Sequence, residues 1–181
     1  MTKQLYFIAL LPPEEIRQDV RQLKLGMKKR FDASHALKSP AHITLQIPFR
    51  REEKMESEMI GSLQKFAADQ SKFMISLNGF GSFLPRVLFI KIEDHQPVQN
   101  LHSKMNVVLI NSLSFTQKEI KQQLHPHLTI ATRDLSKAAF HDAWTEYKDR
   151  EFRASFDVNS LYLLKHNGKF WDVFREFPFN T

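Results

Sequence analysis

The sequence predicts an α+β protein with a duplicated fold, in which two lobes related by a pseudo-twofold axis surround a central cleft. Strand-like and helix-like apolar patterns alternate along the 181 residues, and the order of the first half recurs in the second. Each half also contains the pattern His-x-Thr followed by an apolar residue. The two copies, HITL at 42–45 and HLTI at 127–130, lie 85 positions apart (127 − 42).

The elements of the first half follow from the spacing of its apolar residues. Leu5–Leu11 predicts a strand that ends at Pro12-Pro13. Apolar residues then recur at spacings of three and four, as on one face of a helix: Ile16, Val20, Leu23, Met27 and Phe31. A strand, a second helix and two more strands follow, at His42–Phe49, Met55–Phe66, Phe73–Leu77 and Arg86–Ile92. The stretch Asn78–Pro85, which contains Gly and Pro, predicts a turn between the last two strands.

The second half repeats this order with weaker patterns. The apolar spacing predicts a helix at Val98–Leu109, a strand at His127–Ala131 and a helix at Leu135–Tyr147. Two further runs, Phe152–Leu164 and Lys169–Phe179, predict a closing hairpin that turns at His166-Asn167-Gly168.

The composition is that of a globular protein, with 42% hydrophobic and 25% charged residues. We expect a single domain over residues 1–181, built of two intertwined lobes. The chain has no cysteine, which excludes disulfides and thiolate chemistry and fits a reducing compartment. The apolar run Leu5–Leu11 is too short to cross a membrane and no small-residue cleavage site follows it. We therefore expect a cytoplasmic protein without membrane contact.

The two His-x-Thr segments place two pairs of polar side chains on strand faces. Side chains alternate along a strand, so His42 shares a face with Thr44, and His127 shares a face with Thr129. A single such copy is most often an amphipathic strand whose polar face meets water. Two copies in corresponding halves can converge on one cleft if a pseudo-twofold axis relates those halves.

Two imidazoles and two hydroxyls in one cleft suit phosphodiester chemistry without a metal ion. One imidazole can accept a proton while the other donates one, because imidazole titrates near neutrality. The threonine hydroxyls can donate hydrogen bonds to the non-bridging phosphate oxygens. This arrangement requires facing ring nitrogens on the order of 5–8 Å apart, partly open rings and an electropositive cleft. The net charge of +6 favours a phosphate-bearing ligand.

At these residues the sequence resembles the two-histidine (2H) phosphoesterase superfamily, which includes 2′-5′ RNA ligase-like proteins and RNA 2′,3′-cyclic phosphodiesterases. The segments YFIALLPPEE, GFGSFLPRVLFIKI and GKFWDVFREFPF extend the resemblance over most of the chain, and SHALKSPAHITL is nearest the small bacterial branch. The resemblance implies antiparallel sheets flanked by helices. It also implies hydrolysis of a 2′,3′-cyclic phosphate or a related phosphodiester on a nucleotide or RNA end, with His42 and His127 catalytic and Thr44 and Thr129 binding phosphate.

Two other functions remain open from the same residues. The cleft could serve a non-catalytic module that binds nucleotides or RNA, and the family name also records reversible 2′-5′ RNA ligation. In each case we expect a monomer whose partner is a nucleotide or RNA phosphodiester.

Four other residues are candidate substrate contacts. Arg133 lies on the cleft face if strand alternation continues past Thr129, although a solvated arginine is the alternative. Arg86 follows a predicted turn and could reach a phosphate. Tyr6 and Phe83 could stack on a base, although core packing is the alternative for any aromatic residue in this chain.

The sequence predicts neither a metal site nor a cofactor. It contains no H-x-x-x-H or H-E-x-x-H pattern, no phosphate-binding P-loop and no dinucleotide-binding glycine fingerprint.

Overall fold

The computed structural model describes residues 2–180 and contains one curled eight-stranded antiparallel sheet with four α-helices, which confirms the α+β class. The strands are β1 (Lys3–Leu10), β2 (Ile43–Glu52), β3 (Phe73–Phe83), β4 (Val87–Ile92), β5 (His127–Ala131), β6 (Arg153–Val158), β7 (Ser160–His166) and β8 (Trp171–Pro178). The helices are α1 (Glu14–Phe31), α2 (Glu56–Ala68), α3 (Gln96–Leu113) and α4 (Lys137–Tyr147). Within residues 2–180, no helix is long and apolar enough to span a membrane.

The strand order divides the sheet at its middle. It runs β6-β3-β4-β5-β2-β1-β7-β8, so β2 and β5 are the adjacent central strands. One His-x-Thr segment lies in β5, and the other runs from His42, directly before β2, into that strand. We call β2-β1-β7-β8 the His42 half-sheet and β5-β4-β3-β6 the His127 half-sheet. Each half-sheet places its motif strand innermost, as the predicted pseudo-twofold relation requires.

The main core lies on one face of this sheet. All four helices and alternate strand residues, such as Ile8 of β1 and Ile130 of β5, form one buried apolar cluster. The opposite face of β1 carries a smaller cluster formed by Phe7, Ala9, Leu11 and Leu164. The motif side chains alternate along their strands with residues of the main core, so they lie on the opposite face of the sheet: His42, Thr44, His127 and Thr129.

Helix α1 illustrates how local sequence fixes the elements. Its acidic residues Glu14 and Glu15 occupy the first turn, and basic residues occupy the last, which complements the helix dipole. The helix ends where Asp32 adopts a left-handed conformation, with φ 54°. The helix predicted from the apolar positions Ile16 to Phe31 is confirmed.

The prediction that Phe152–Leu164 forms a single strand was wrong. This run contains β6 and β7, which separate at Asn159 and pair at opposite sides of the sheet, β6 with β3 and β7 with β1. The hairpin formed by β7 and β8 is confirmed, with Gly168 at φ 100° in its turn. The His42 half-sheet therefore combines strands from both ends of the chain.

The predicted turn at Asn78–Pro85 was also wrong in extent. Strand β3 continues to Phe83, and the turn is confined to the next three residues. Gly79 has φ +67° where the pairing between β3 and β4 shifts register, so it marks a β-bulge inside the strand.

A similar register shift affects β2. Strict alternation along β2 would bury Ile47 together with Ile43 and Leu45, but the Ile47 side chain is 42% exposed. The pairing with β1 changes register on both sides of Gln46, which is itself buried. Strict alternation therefore holds for the motif residues but ends just after them.

Candidate active site

The site lies at the junction of the two half-sheets. Ile43 of β2 pairs with Leu128 of β5, and both are buried. In this antiparallel register His42 lies opposite Thr129, and Thr44 lies opposite His127, on the other face of the sheet. His42 and His127 are therefore diagonal neighbours, a relation that places two residues roughly 7–8 Å apart, with their Cβ atoms somewhat closer. The structure thus brings together the four residues that the repeated motif singled out.

Both histidines are held by the same backbone contact. The Nδ1 atom of His42 lies 2.8 Å from the carbonyl oxygen of Pro40, and Nδ1 of His127 lies 2.7 Å from that of His125. A carbonyl can only accept, so each Nδ1 carries the proton and donates it. Each Nε2 is then the atom that can gain or lose a proton. Within residues 2–180, neither Nε2 atom nor either threonine hydroxyl has a hydrogen-bond partner.

An aromatic pair packs beside each ring. The ring centroid of Phe7 lies 4.8 Å from that of His42 and 4.6 Å from that of Trp171. On the other half-sheet, the ring of Phe89 lies 5.0 Å from His127 and 4.5 Å from Phe83. These contacts restrict how far each imidazole can rotate away from its carbonyl.

Gly81 makes room for the Phe89 ring. A Cβ atom at this position would lie 2.6 and 2.7 Å from two carbons of that ring, closer than side-chain carbons approach one another. Because Phe89 packs against His127, the absent side chain at position 81 helps to set the position of the imidazole.

A cavity of about 210 Å³ opens beside His42, Thr44 and Thr129. Its charged lining is wholly basic: Lys24, Lys38 and Arg133, with His35 nearby and no carboxylate among the described lining residues. Phe7 and Trp171 supply apolar lining. The lining therefore attracts anions, as the sequence predicted for the cleft.

Lys24 is the most unusual of these cations. It is 3% exposed, and its ammonium donates to the carbonyl oxygen of Ser39 at 3.0 Å. Burial lowers the pKa of Lys24 to about 8, and the nearby charge of Arg21 contributes to the same shift. At neutral pH the group is thus still largely charged and lines a cavity whose other charged side chains are also basic.

The two imidazoles have unequal proton affinities. Burial lowers the pKa of His42 to about 4, with the contact to Pro40 opposing this shift and the charges of Lys24 and His127 contributing to it. Burial also lowers the pKa of His127, opposed by its bond to His125 and assisted by nearby positive groups. Both rings are therefore neutral at pH 7 without an anion between them.

The four remaining candidate contacts occupy different places. Arg133 lies two residues beyond the end of β5, in a left-handed conformation with φ 53°, and its side chain lines the cavity. Phe83 is 37% exposed and packs edge-on against His127. Arg86 is exposed in the β3–β4 turn and is not part of the cavity lining.

The prediction for Tyr6 was wrong. Its side chain is fully buried in the main core, where its hydroxyl donates to Glu56 at 2.6 Å. Strand alternation places its neighbour Phe7 on the site face instead. Tyr6 therefore cannot stack on a ligand in the cleft.

Sequence reasoning missed Lys24, Phe7 and Trp171. A signal for Lys24 was present, because it stands four residues after Val20 and three before Met27, on the apolar face of α1. Nothing in the local pattern could identify Trp171, since β8 reaches the site only through the pairing of β7 with β1. Within residues 2–180, no group of three or more His, Cys, Asp or Glu side chains could hold a metal ion.

A curled antiparallel sheet that joins two His-x-Thr strands at its centre defines the class of two-histidine phosphoesterase-like proteins. Residues 12–170 match the family model described as the 2′-5′ RNA ligase superfamily, and the chain belongs to this family.

Relatives and solved structures agree with that assignment. The chain is 31% identical over 176 residues to a Geobacillus kaustophilus protein named "Putative phosphoesterase", covering 95% of this chain and 94% of the relative. Its fold is similar to E. coli LigT solved with 3′-AMP, with TM-score 0.71, 19% identity, and 99% and 100% of the two chains covered. It is also similar to TT0787 of Thermus thermophilus, with TM-score 0.65, 19% identity and 97% of each chain covered. Membership of this family supports an enzyme of the phosphoesterase class.

Proposed function

We propose that this protein hydrolyses a 2′,3′-cyclic phosphate, or a closely related phosphodiester, at the end of a nucleotide or RNA. The observation that carries the proposal is the matched pair of histidines on adjacent central strands. Each donates Nδ1–H to a backbone carbonyl and presents a free Nε2 on the site face. Because the two histidines are diagonal neighbours across paired strands, their Nε2 atoms can contact opposite sides of one phosphate group.

Each of the two imidazole rings carries out one proton transfer. Neutral His42 takes a proton from water at Nε2 while the water oxygen bonds to phosphorus. The bond from phosphorus to one ribose oxygen breaks, and protonated His127 gives its Nε2 proton to that oxygen. The product is a ribose monophosphate, and the proton gained by His42 returns to His127 through solvent. The free hydroxyls of Thr44 and Thr129 donate to the non-bridging oxygens.

The surroundings favour His42 as the base. The buried ammonium of Lys24 lines the same cavity and opposes a second positive charge on this ring. His127 does not line this basic cavity. An anion bound between the rings raises the proton affinity of both, and the ring farther from Lys24 is the one that gains the proton.

The neighbours in structure support a nucleotide ligand. E. coli LigT has been solved with 3′-AMP, ATP, NADP+ and phosphate. A cavity lined by three basic side chains and no carboxylate among its described residues suits the phosphate groups that these ligands share.

The first test is incubation of the purified protein with 2′,3′-cyclic mononucleotides, 2′-5′-linked dinucleotides and RNA ends bearing a cyclic phosphate. We expect turnover of the cyclic phosphates, unchanged by chelator because the proton transfers use imidazole. Calorimetric binding with no turnover at high protein concentration would instead identify a binding module. Formation of 2′-5′ linkages from RNA halves without hydrolysis would identify a ligase.

The second test is a crystal structure with phosphate or a nucleotide. The phosphorus is expected between the two Nε2 atoms, which should lie on the order of 5–8 Å apart, with a hydrogen bond of about 2.6–3.2 Å on each side. A phosphate bound elsewhere, with the rings apart from it, would contradict the mechanism.

A further inference from the structure

We infer that a second nucleotide unit binds in a polar pocket beside His127, formed by α3 and the segment 121–125. The inference rests on the proposed function for the position of the terminal phosphate. This pocket has a volume of about 740 Å³, within the range of small-ligand sites, and lies apart from the basic cavity beside His42.

The helix supplies one wall of this pocket. Gln96, Gln99, Asn100 and Ser103 lie at spacings of three, four and seven residues, so they form one stripe along α3. A polar stripe on a surface helix usually meets open solvent, but here it faces a cavity. The wall thus presents amide donors and acceptors to whatever fills the pocket.

The segment 121–125 supplies the opposite wall and is tied to the helix. The side-chain amide of Gln99 donates to the carbonyl oxygen of Leu124 at 2.9 Å. Gln122 and Gln123 add two more amides, and Lys121 adds a positive charge. The described lining contains no carboxylate that would repel a phosphate-bearing ligand.

The pocket connects directly to the catalytic machinery through two shared residues. His125 lines the pocket, and its carbonyl oxygen accepts the hydrogen bond that orients His127. Phe83 lines the pocket with a 37% exposed ring that contacts His127 at a centroid distance of 5.0 Å. A substrate with its terminal phosphate between the histidines can continue past Phe83 into this space.

The chemistry of the walls identifies a nucleotide base as the occupant. Bases stack on exposed aromatic rings, and their edges carry both donors and acceptors that glutamine and asparagine can pair with. The Nδ2 group of Asn100 has no partner within residues 2–180, while its Oδ1 accepts from Gln96 at 2.7 Å. The side chain of Gln123 likewise has no hydrogen-bond partner there. These two amides are available to a base edge.

Calorimetry with phosphate-terminated products tests this pocket independently of catalysis. We expect a dinucleotide 3′-phosphate to bind about tenfold more tightly than the mononucleotide 3′-phosphate. The gain should disappear when the 5′ unit of the dinucleotide is abasic. Equal dissociation constants for the two ligands would overturn the inference.

A double variant, Asn100→Ala with Gln123→Ala, tests whether the tighter binding of the dinucleotide arises in this pocket. It should remove most of the tenfold preference and leave mononucleotide binding unchanged, since neither side chain lines the cavity beside His42. Gln64→Ala is the matched control, because Gln64 is an exposed amide on α2 outside both pockets. A preference that survives the double variant would contradict the proposed location.

The outcomes for the pocket and for the proposed reaction are separable. Hydrolysis of cyclic mononucleotides with equal binding of one-unit and two-unit ligands supports the reaction and overturns the pocket. A binding preference lost in the double variant, with no hydrolysis of any cyclic phosphate, supports the pocket and overturns the reaction. A protein that binds neither ligand and hydrolyses no cyclic phosphate overturns both.

Discussion

The His42 and His127 half-sheets hold their imidazoles by the same backbone contact, at 2.8 and 2.7 Å, but surround them differently. His42 faces a small basic cavity with the buried ammonium of Lys24. His127 lies beside Phe83 and His125, which open onto a larger pocket lined by amides. The same contact therefore orients the ring in both half-sheets, whereas in the proposed mechanism the unlike neighbours divide the proton-transfer roles.

The largest expected effect is the loss of either ring. His42→Ala and His127→Ala should each lower kcat for a 2′,3′-cyclic nucleotide by roughly 10²–10⁴-fold, the usual contribution of a general acid or base. The double variant should lose little more than either single one, because the rings act as a unit. Steady-state kinetics measure this, with exposed His141→Ala as the control. Full activity in either single variant, with the fold intact by circular dichroism, would exclude the two-histidine mechanism.

The threonines are expected to matter less. Thr44→Ala or Thr129→Ala removes one donor to a charged oxygen, worth about 2.7–4 kcal/mol, or roughly 10²–10³ in kcat. Thr→Ser variants, which keep the hydroxyl, should restore most of the activity. A loss equal to that of a missing histidine, unrescued by serine, would mean that the hydroxyl does more than donate.

The pH dependence tests the assignment of roles. As the base, His42 must be neutral, so kcat/KM should rise as pH increases through about 4. As the acid, His127 must be protonated, so kcat/KM should fall as pH increases through its lowered pKa. The optimum is therefore expected on the acid side of neutrality.

Lys24→Met should shift only the acid limb of the pH profile, which is the rise in kcat/KM that reports the pKa of His42. The alkaline limb, which reports the pKa of His127, should stay in place. Removing the positive charge raises the pKa of His42, so the acid limb should move upward by up to about one pH unit. Folding lowers the pKa of Lys24 from 10.5 to about 8, so protonation of this group destabilises the fold as pH falls through that range, and the full cost is present below it. At neutral pH the variant should therefore melt at a higher temperature. Exposed Lys28→Met is the control. A shift in the alkaline limb alone would reverse the assignment of base and acid.

The smallest expected effect concerns the His127 half-sheet alone. Gly81→Ala places a methyl group against the Phe89 ring, which should destabilise the protein by about 1–3 kcal/mol and lower kcat several-fold through displacement of His127. The alkaline limb should move while the acid limb stays fixed. Gly61→Ala, where an added Cβ meets nothing within 4 Å, is the control. If both limbs of the pH profile moved equally, the change at Gly81 would affect His42 as much as His127, and the two half-sheets would not position their histidines independently.

Local patterns predicted most of the elements, and the strand faces of the four motif residues, because both depend on short-range periodicity. His42 and Thr44 share a face whatever the rest of the chain does, and α1 follows from its own apolar spacing. Strict alternation alone would misplace Ile47, because a bulge in β2 shifts its side chain to the exposed face. Tyr6 was misplaced because the apolar run of β1 does not show which of its faces packs against the main core. Lys24 and Trp171 depend on tertiary packing, which a local pattern does not specify.

The position of β7 and β8 beside β1 also governs the order in which the site can form during synthesis. Strands β3 to β6 span residues 73–158 without interruption, so the His127 half-sheet can pair before residue 160 leaves the ribosome. Until β7 has followed, β1 of the nascent chain keeps an open edge. An open edge invites pairing with other chains, and Trp171 has not yet reached Phe7. A chain stopped by a premature termination codon before β7 would thus hold one finished half-sheet and an exposed, aggregation-prone strand in place of a cleft.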